Sequence, residues 1–263
     1  MGAPTHTDRR TSFFDQLRSA PSRVLLLDYD GTLAPFQIDR DRAVPYPEIP
    51  GLLGRIIASG TRVVLISGRP ARELRQLCGI YPQPEIWGSH GTERLLPDGT
   101  YHLEELSSEQ RNGLREAERF ARDEGIEARL EIKPSAIALH WRGLTEAAVK
   151  DLRSRVEPGW KKLADHNSLE LMEFDGGLEL RAPGKDKGKA VVAILRESNP
   201  SAAIAYLGDD RTDEDAFRAL QGKGLTVLAR DRDRPTLADI HLRPPGELIE
   251  FLREWLASSY EGR

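Results

Sequence analysis

The sequence predicts an α/β fold: a Rossmann-like parallel-sheet core interrupted by a smaller inserted α/β domain. Three observations carry this expectation. Short, continuous apolar runs without alternation, the mark of strands buried on both faces, occur early (Val24–Leu27, Val63–Ile66) and late (Ile204–Leu207, Leu225–Leu228). Helical patterns separate them, as in a βαβ series. From about Ser107 to Arg181 the rhythm changes to helix, strand, strand, repeated once.

In order, the first strand, Val24–Leu27, ends in Asp28-Tyr29-Asp30-Gly31-Thr32. A helix over Gly51–Ser59 leads to the strand Val63–Ile66, and a helix over Ala71–Cys78 leads to a short strand at Glu85–Trp87. In the middle region Ser108-Glu109 opens an amphipathic helix to about Asp123, stopped by Gly125. Arg129–Lys133 and Ile137–Arg142 form a hairpin across Pro134-Ser135-Ala136. Thr145–Val156 is a second helix, and Leu169–Phe174 pairs with Leu178–Arg181 across the turn Asp175-Gly176-Gly177. The core rhythm then resumes with a helix over Lys189–Glu197, the strand Ile204–Leu207, a helix over Glu214–Ala219, the strand Leu225–Leu228 and a closing helix over Glu247–Ala257. The implied division is a core of residues 1–106 and 182–263 with an insertion of residues 107–181. The first ten residues and Ser258–Arg263 are expected to fray.

Composition narrows the function. A hydrophobic content of 39%, a charged content of 30% and a net charge of -4 describe an ordinary soluble protein and argue against nucleic acid as a partner. No apolar run approaches the roughly 18 residues of a membrane-spanning helix. Met1–Arg10 lacks the apolar centre of a signal peptide, and the lone Cys78 fits a reducing compartment. A cytoplasmic monomer that leaves membranes alone is the expectation.

The residues that carry chemistry follow the apolar runs, where an open α/β sheet places its site. Asp28 and Asp30 repel one another unless a cation or a shared proton relieves them. Gly31 permits a tight turn and Thr32 adds a hydroxyl. Ser67-Gly68-Arg69 brings a hydroxyl and a guanidinium to the second strand's end, and Gly208-Asp209-Asp210-Arg211-Thr212-Asp213 is part of the densest acidic cluster. Gly184-Lys185-Asp186-Lys187-Gly188-Lys189 offers ammonium groups before a helix. Singly, each has a bland alternative: a turn, a capped helix or a solvated helix start. Together they supply what phosphoryl transfer needs, namely a carboxylate nucleophile, oxygen ligands for a hard cation, and donors for phosphate oxygens.

Asp28-Tyr29-Asp30-Gly31-Thr32, Ser67-Gly68-Arg69, Lys187 and Gly208-Asp209-Asp210 resemble, in order, the four motifs of haloacid dehalogenase-type phosphatases. The stretch from Thr32 to Ser67 is too short for a folded insertion, whereas that from Gly91 to Lys187 is long enough, so the insertion resembles the α/β cap that follows the second motif. Within that superfamily the chain is most similar to trehalose-6-phosphate phosphatases, through Asp28–Pro35, Gly88-Ser89-His90-Gly91, Glu131-Ile132-Lys133, His140-Trp141-Arg142, Glu179-Leu180-Arg181 and Leu207–Phe217. Phe36–Arg42 is more charged than the family's loop, and Asp186 replaces its frequent Asn.

The resemblance implies a Mg²⁺-dependent, two-step hydrolysis of trehalose 6-phosphate. In it Asp28 is the nucleophile and Asp30 the acid and base. Ser67 and Lys187 bind the phosphoryl oxygens. Mg²⁺ is held by Asp28, the Asp30 carbonyl and Asp209, backed by Asp210 and Asp213. Thr32, Arg69, His90, Glu131, Lys133, Arg142 and Glu179 are the expected substrate contacts. Strand alternation puts Glu131 and Lys133 on one face, and His140 and Arg142 on one face of the partner strand; His140 and Trp141 are read as pairing or packing residues. Two rivals stand beside this reading. A phosphatase for another glycosyl phosphate (a glucosyl- or mannosyl-phosphoglycerate, or sucrose phosphate) would differ only in its cap. A receiver-type signalling module also uses a phosphorylated Asp, but Asp30 and the long insertion argue against it.

Overall fold

The structure, a computed structural model, describes residues 6–37, 42–174, 176–183 and 186–261. Part of the charged loop (38–41), Asp175 of the predicted turn and Gly184-Lys185 of the lysine cluster lie outside the described residues. The chain forms two compact units, Met1–His102 with Asp186–Arg263, and Leu103–Lys185. The insertion thus extends a few residues beyond 107–181 at both ends.

In chain order the elements are α1 (His6–Ser19), β1 (Arg23–Leu27), α2 (Ile49–Ala58), β2 (Arg62–Ile66), α3 (Ala71–Leu77), β3 (Glu85–Gly88), β4 (Glu93–Leu95) and β5 (Tyr101–Leu103). The insertion follows with α4 (Ser108–Asp123), β6 (Leu130–Lys133), β7 (Ala136–His140), α5 (Glu146–His166), β8 (Glu170–Phe174) and β9 (Gly177–Arg181). The chain closes with α6 (Lys187–Glu197), β10 (Ala203–Gly208), α7 (Glu214–Leu220), β11 (Leu225–Ala229), β12 (Ile240–Leu242) and α8 (Gly246–Glu261).

The larger unit is built on a sheet ordered β12-β11-β10-β1-β2-β3-β4-β5. Pairing is parallel from β12 to β3, and β4 joins antiparallel. The unbroken apolar runs have a simple cause: alternate residues serve two cores. Leu25 and Leu27 of β1 pack with Phe13, Phe14 and Leu17 of α1, Leu53 and Ile56 of α2, and Phe251 and Trp255 of α8. Val24 and Leu26 face the opposite way, onto Val191 and Ile194 of α6 and Phe217 of α7. Each such burial stabilises by roughly 1.5–3 kcal/mol. Strand order reverses at β1, with β2 on one side and β10 on the other, so the crevice beyond β1 is where this topology places a ligand.

The smaller unit is an antiparallel sheet ordered β6-β7-β9-β8. Ile137, Leu139, Leu178 and Leu180 on one face pack with Trp160 and Val156 of α5 and Ala117 and Ala121 of α4. A Ser107–Gln110 capping box starts α4, and the Thr145 hydroxyl caps α5. The other face carries cross-strand rows, of which Glu131–Ala138–Glu179–Met172 is central.

Four expectations require correction. The N-terminus is helical from His6, because Phe13, Phe14 and Leu17 are buried against α8; the Phe14 and Phe251 rings stand 5.1 Å apart. Helix α8 likewise continues to Glu261, with Ser258 and Ser259 buried in it, while the parts of both expectations that concern residues 1–5 and 262–263 lie outside the described residues. Helix α5 runs on past Val156 to His166, through Pro158, because Trp160 and Ala164 continue its buried face. Finally, β7 ends at His140, so Arg142 lies in the following turn rather than beside His140 on the strand.

Phe14→Ala should cost about 3–5 kcal/mol in urea-induced unfolding, the range for emptying a buried aromatic site. A loss below about 1 kcal/mol would mean that α1 is a loosely attached extension.

Candidate active site

Asp28 follows β1, and Asp209 follows β10, its parallel neighbour. Asp213 lies one short turn beyond Asp209, and carboxylate oxygens of all three lie within 4.8 Å of one another in a buried cluster. Repulsion at such spacings is on the order of 3–4 kcal/mol per ionised pair at an effective dielectric near 20, so compensation is required. Part of it comes from Lys187, the first residue of α6, which is itself buried. Its Nζ donates to Asp28 Oδ1 at 2.6 Å and to Asp213 Oδ1 at 2.7 Å. One ammonium against three carboxylates leaves the cluster short of positive charge.

The hydrogen bonds show where the deficit lies. Asp213 is fully used: Oδ1 also accepts from the Tyr206 hydroxyl at 2.6 Å, and Oδ2 accepts from the Asp209 and Asp210 backbone N–H groups at 3.0 and 2.9 Å. Asp28 has Lys187 on one oxygen and the Thr32 hydroxyl, at 3.2 Å, on the other. Both oxygens of Asp209 are buried without a hydrogen-bond partner among the described residues. An unpaired buried carboxylate beside two others could hold a cation, and an all-oxygen donor set suits a hard one such as Mg²⁺. Gly31 is shaped for the same place. Its φ is +84°, and a Cβ there would lie 2.2 Å from Asp209 Oδ2, so only glycine lets the Asp30-Gly31 main chain pass this closely. Asp28, Asp209 and the nearby loop therefore fit such an ion, with Asp213 and Asp210 behind them. Asp210 accepts from the Arg211 N–H, and Arg234 holds the Asp210 carbonyl at 2.8 Å.

Protonation follows the same imbalance. Burial pushes Asp28 up to about 7 against the pull of Lys187. Burial, reinforced by Asp28 and Asp213, lifts Asp209 well above the usual carboxylate range. Burial works against the Lys187 ammonium, but Asp213 and Asp28 outweigh it and hold it above its ordinary range.

Asp30 sits apart from this cluster. Arg69 grips it bidentately, Nε to Oδ2 at 2.6 Å and Nη2 to Oδ1 at 2.7 Å, while Nη1 reaches Glu73 at 2.8 Å. Arg69, expected at the substrate, is almost wholly buried and spends its guanidinium fork on two carboxylates. Ser67 directly follows β2; its Oγ accepts the Arg69 N–H and its carbonyl accepts the His90 N–H at 3.0 Å. His90 and Ser89 both adopt positive φ, 57° and 47°, and the His90 ring packs on Gly68, where a Cβ would come within 2.7 Å of Nε2. Such strain persists only where surroundings impose it. Here buried Glu93 does so, accepting from the Ser89 hydroxyl at 2.8 Å and from the Ala71 N–H at 3.0 Å.

The smaller unit assembles a separate polar group. Lys133 Nζ donates to Glu179 Oε2 at 2.5 Å and stands 3.7 Å from Glu131, which meets His140 Nε2 at 2.9 Å. Arg142 lies along the Gly176 turn. Sequence reasoning missed Tyr206, Glu73, Glu93 and Arg234. Tyr206, Glu73 and Glu93 are polar residues in or beside a predicted motif and Arg234 lies beyond the last one, signals too common to single out without the partner's position.

The trehalose-phosphatase family profile matches residues 26–241. The trehalose-phosphate phosphatases of Mycobacterium marinum and Mycobacterium avium are 31% and 33% identical, over 89% and 90% of this chain and 61% and 62% of their own. The chain thus spans about three fifths of the length of those relatives. Among solved structures, a trehalose-6-phosphate phosphatase of Aspergillus fumigatus superposes with a TM-score of 0.68 at 26% identity, over 98% of this chain and 100% of that one. A Candida albicans trehalose-6-phosphate phosphatase C-terminal domain shares the fold, with a TM-score of 0.74 at 21% identity over 95% and 96% of the two chains. With its profile match spanning both the acidic cluster and the inserted unit, the chain belongs to the trehalose-phosphatase family.

Proposed function

We propose that the chain is a phosphatase that hydrolyses trehalose 6-phosphate to trehalose and phosphate through a phospho-Asp28 intermediate, with Mg²⁺ as cofactor. The observation that carries this reading is the buried, unpartnered Asp209 carboxylate beside an Asp28 that Lys187 holds in place. When bound, Mg²⁺ supplies positive charge for the carboxylates and the phosphoryl oxygens; Asp28, Asp209 and the Asp30 carbonyl would hold it.

Asp28 attacks phosphorus, and the bond from phosphorus to the sugar oxygen breaks. Asp30 gives its proton to the departing oxygen, then takes one from the water whose attack on phosphorus releases phosphate and restores Asp28. Arg69 orients Asp30 for both transfers, and proton donation requires an Asp30 oxygen to turn from the guanidinium. Ser67 and Lys187 offer donors to the phosphoryl oxygens, whose charge grows in the transition state. The inserted unit recognises the sugar through Glu131, Lys133 and Glu179, with Arg142, His90 and Thr32 as further contacts.

Asp28→Asn should lower turnover by at least about a thousandfold while leaving the circular dichroism spectrum unchanged. Activity within tenfold of the parent would remove Asp28 from the nucleophile's role.

Mg²⁺ at a hundredfold excess over its dissociation constant should stabilise the parent by about 2.7 kcal/mol. Asp209→Asn should lose that response in a thermal-unfolding titration, and EDTA should stop phosphate release from the parent. Full activity after thorough chelation would rule out the cation.

In a phosphate-release panel, trehalose 6-phosphate should exceed sucrose 6-phosphate and glycosyl phosphoglycerates in kcat/KM by about a hundredfold or more. Lys133→Ala should cut kcat/KM for trehalose 6-phosphate by roughly 10- to 1000-fold, about 1.5–4 kcal/mol, and change p-nitrophenyl phosphate hydrolysis far less. Equal losses on both substrates would move Lys133 out of sugar recognition.

A further inference from the structure

The row His140–Gly177–Phe174 crosses the face of the smaller unit's sheet opposite its helices, on β7, β9 and β8. Its central residue has no side chain, and a Cβ at Gly177 would lie 2.0 Å from the tip of the Phe174 ring and 2.5 Å from the Leu139 carbonyl. The Phe174 ring therefore lies over Gly177 and reaches His140. The two rings meet edge to face, with centroids 5.4 Å apart and planes at 71°, a geometry the quadrupoles of aromatic rings favour. The imidazole so braced presents Nε2 to Glu131 Oε2 at 2.9 Å. Glu131 lies one row away across the sheet and is 3.7 Å from Lys133.

The geometry points to His140 as a positioning residue: braced by Phe174 in the gap left by Gly177, it fixes the Glu131 carboxylate beside Lys133. The inference rests on the reading of Glu131 and Lys133 as sugar-recognition groups. Without the imidazole, the long Glu131 side chain gains rotamer freedom, and the place of its carboxylate beside Lys133 is no longer fixed. A donor at His140 Nε2 holds Oε2, the same Glu131 oxygen that stands 3.7 Å from Lys133 Nζ, so the imidazole and the ammonium together fix one oxygen and set the direction of the other. Carboxylate and ammonium are thereby held in one arrangement, which preorganises them for a ligand that needs a donor and an acceptor in fixed places. His140 itself makes no contact with the ligand in this account.

The test is a double-mutant cycle in kcat/KM for trehalose 6-phosphate. His140→Ala should lower kcat/KM by roughly 10- to 100-fold, carried by KM with kcat within about threefold. His140→Gln, which can place an N–H near the Nε2 position, should recover most of the loss. In a Glu131→Ala background the further change His140→Ala should cost less than about twofold. Multiplicative losses, no recovery with Gln, or an effect confined to kcat would overturn the proposal. Phe174→Leu, on an edge strand and polar-neutral, should raise KM severalfold in the parent and leave it unchanged in the Glu131→Ala background; equal effects in both would overturn the brace. The contact is read without substrate from imidazole-selected proton–nitrogen spectra: the His140 Nε2 proton should lie downfield and move upfield in Glu131→Gln, and no change would overturn it. Should the parent turn over another glycosyl phosphate instead of trehalose 6-phosphate, the substrate reading falls, and the same cycle on that compound decides His140.

Discussion

Three carboxylates buried at the strand-order reversal, with one lysine to compensate them, set the terms for the larger unit. Asp28 and Asp209 are brought together because β1 and β10 run parallel side by side, and Asp213 because a short turn folds back under Asp209. Lys187 comes from far along the chain, at the start of α6, and its two short contacts tie that helix to β1 and to the turn after β10. Removing it would leave an uncompensated buried charge, which costs several kcal/mol. The fold and the site therefore share one electrostatic solution. It is complete for Asp213, whose oxygens carry four hydrogen bonds, and incomplete for Asp209.

Asp30 shows a different use of charge. It is only two residues from Asp28, yet it answers to Arg69 rather than Lys187, so the two carboxylates have separate cationic partners. That separation puts two neighbouring carboxylates in different surroundings, as the proposed division between nucleophile and proton carrier requires. The Glu93 contacts extend the same logic to the main chain, tying the start of α3, which follows the Ser67-Gly68-Arg69 loop, to the strained Ser89-His90 segment.

Much of this was legible in the sequence, for a physical reason. Strands of a sheet covered on both faces must be apolar throughout, so Asp28 and Asp209 stand out against Leu25–Leu27 and Ala205–Leu207. The antiparallel pairing of β8 and β9 was equally visible, through the Gly-rich turn. What escaped depends on distant partners. Helix α1 is mostly polar, and Phe13, Phe14 and Leu17 are its buried apolar residues among those described, too few for a clear period before the partner is known. Strands β4 and β12 have three residues each, below the length at which alternation can be read. Pro158 suggests an end to α5, whereas the buried Trp160 and Ala164 keep the helix intact beyond it. Arg142 was placed on a strand that stops two residues earlier, and Arg69 was assigned to substrate because nothing local reveals the pull of Asp30 and Glu73.

The polar group of the smaller unit is the harder feature to justify on stability alone. Lys133 and Glu179 are buried, and Glu131 nearly so. Desolvating such groups costs several kcal/mol each, and apolar residues of similar volume often serve a fold as well or better. The rest of that sheet takes the cheaper course: Ile137, Leu139, Leu178 and Leu180 fill the helix-facing side with hydrocarbon. Charges retained on the opposite face, at fixed register and with a histidine directed at one of them, are therefore not explained by the core they adjoin. The proposed sugar ligand would account for them, because it offers both donors and acceptors and rewards groups that are already desolvated and oriented when it arrives.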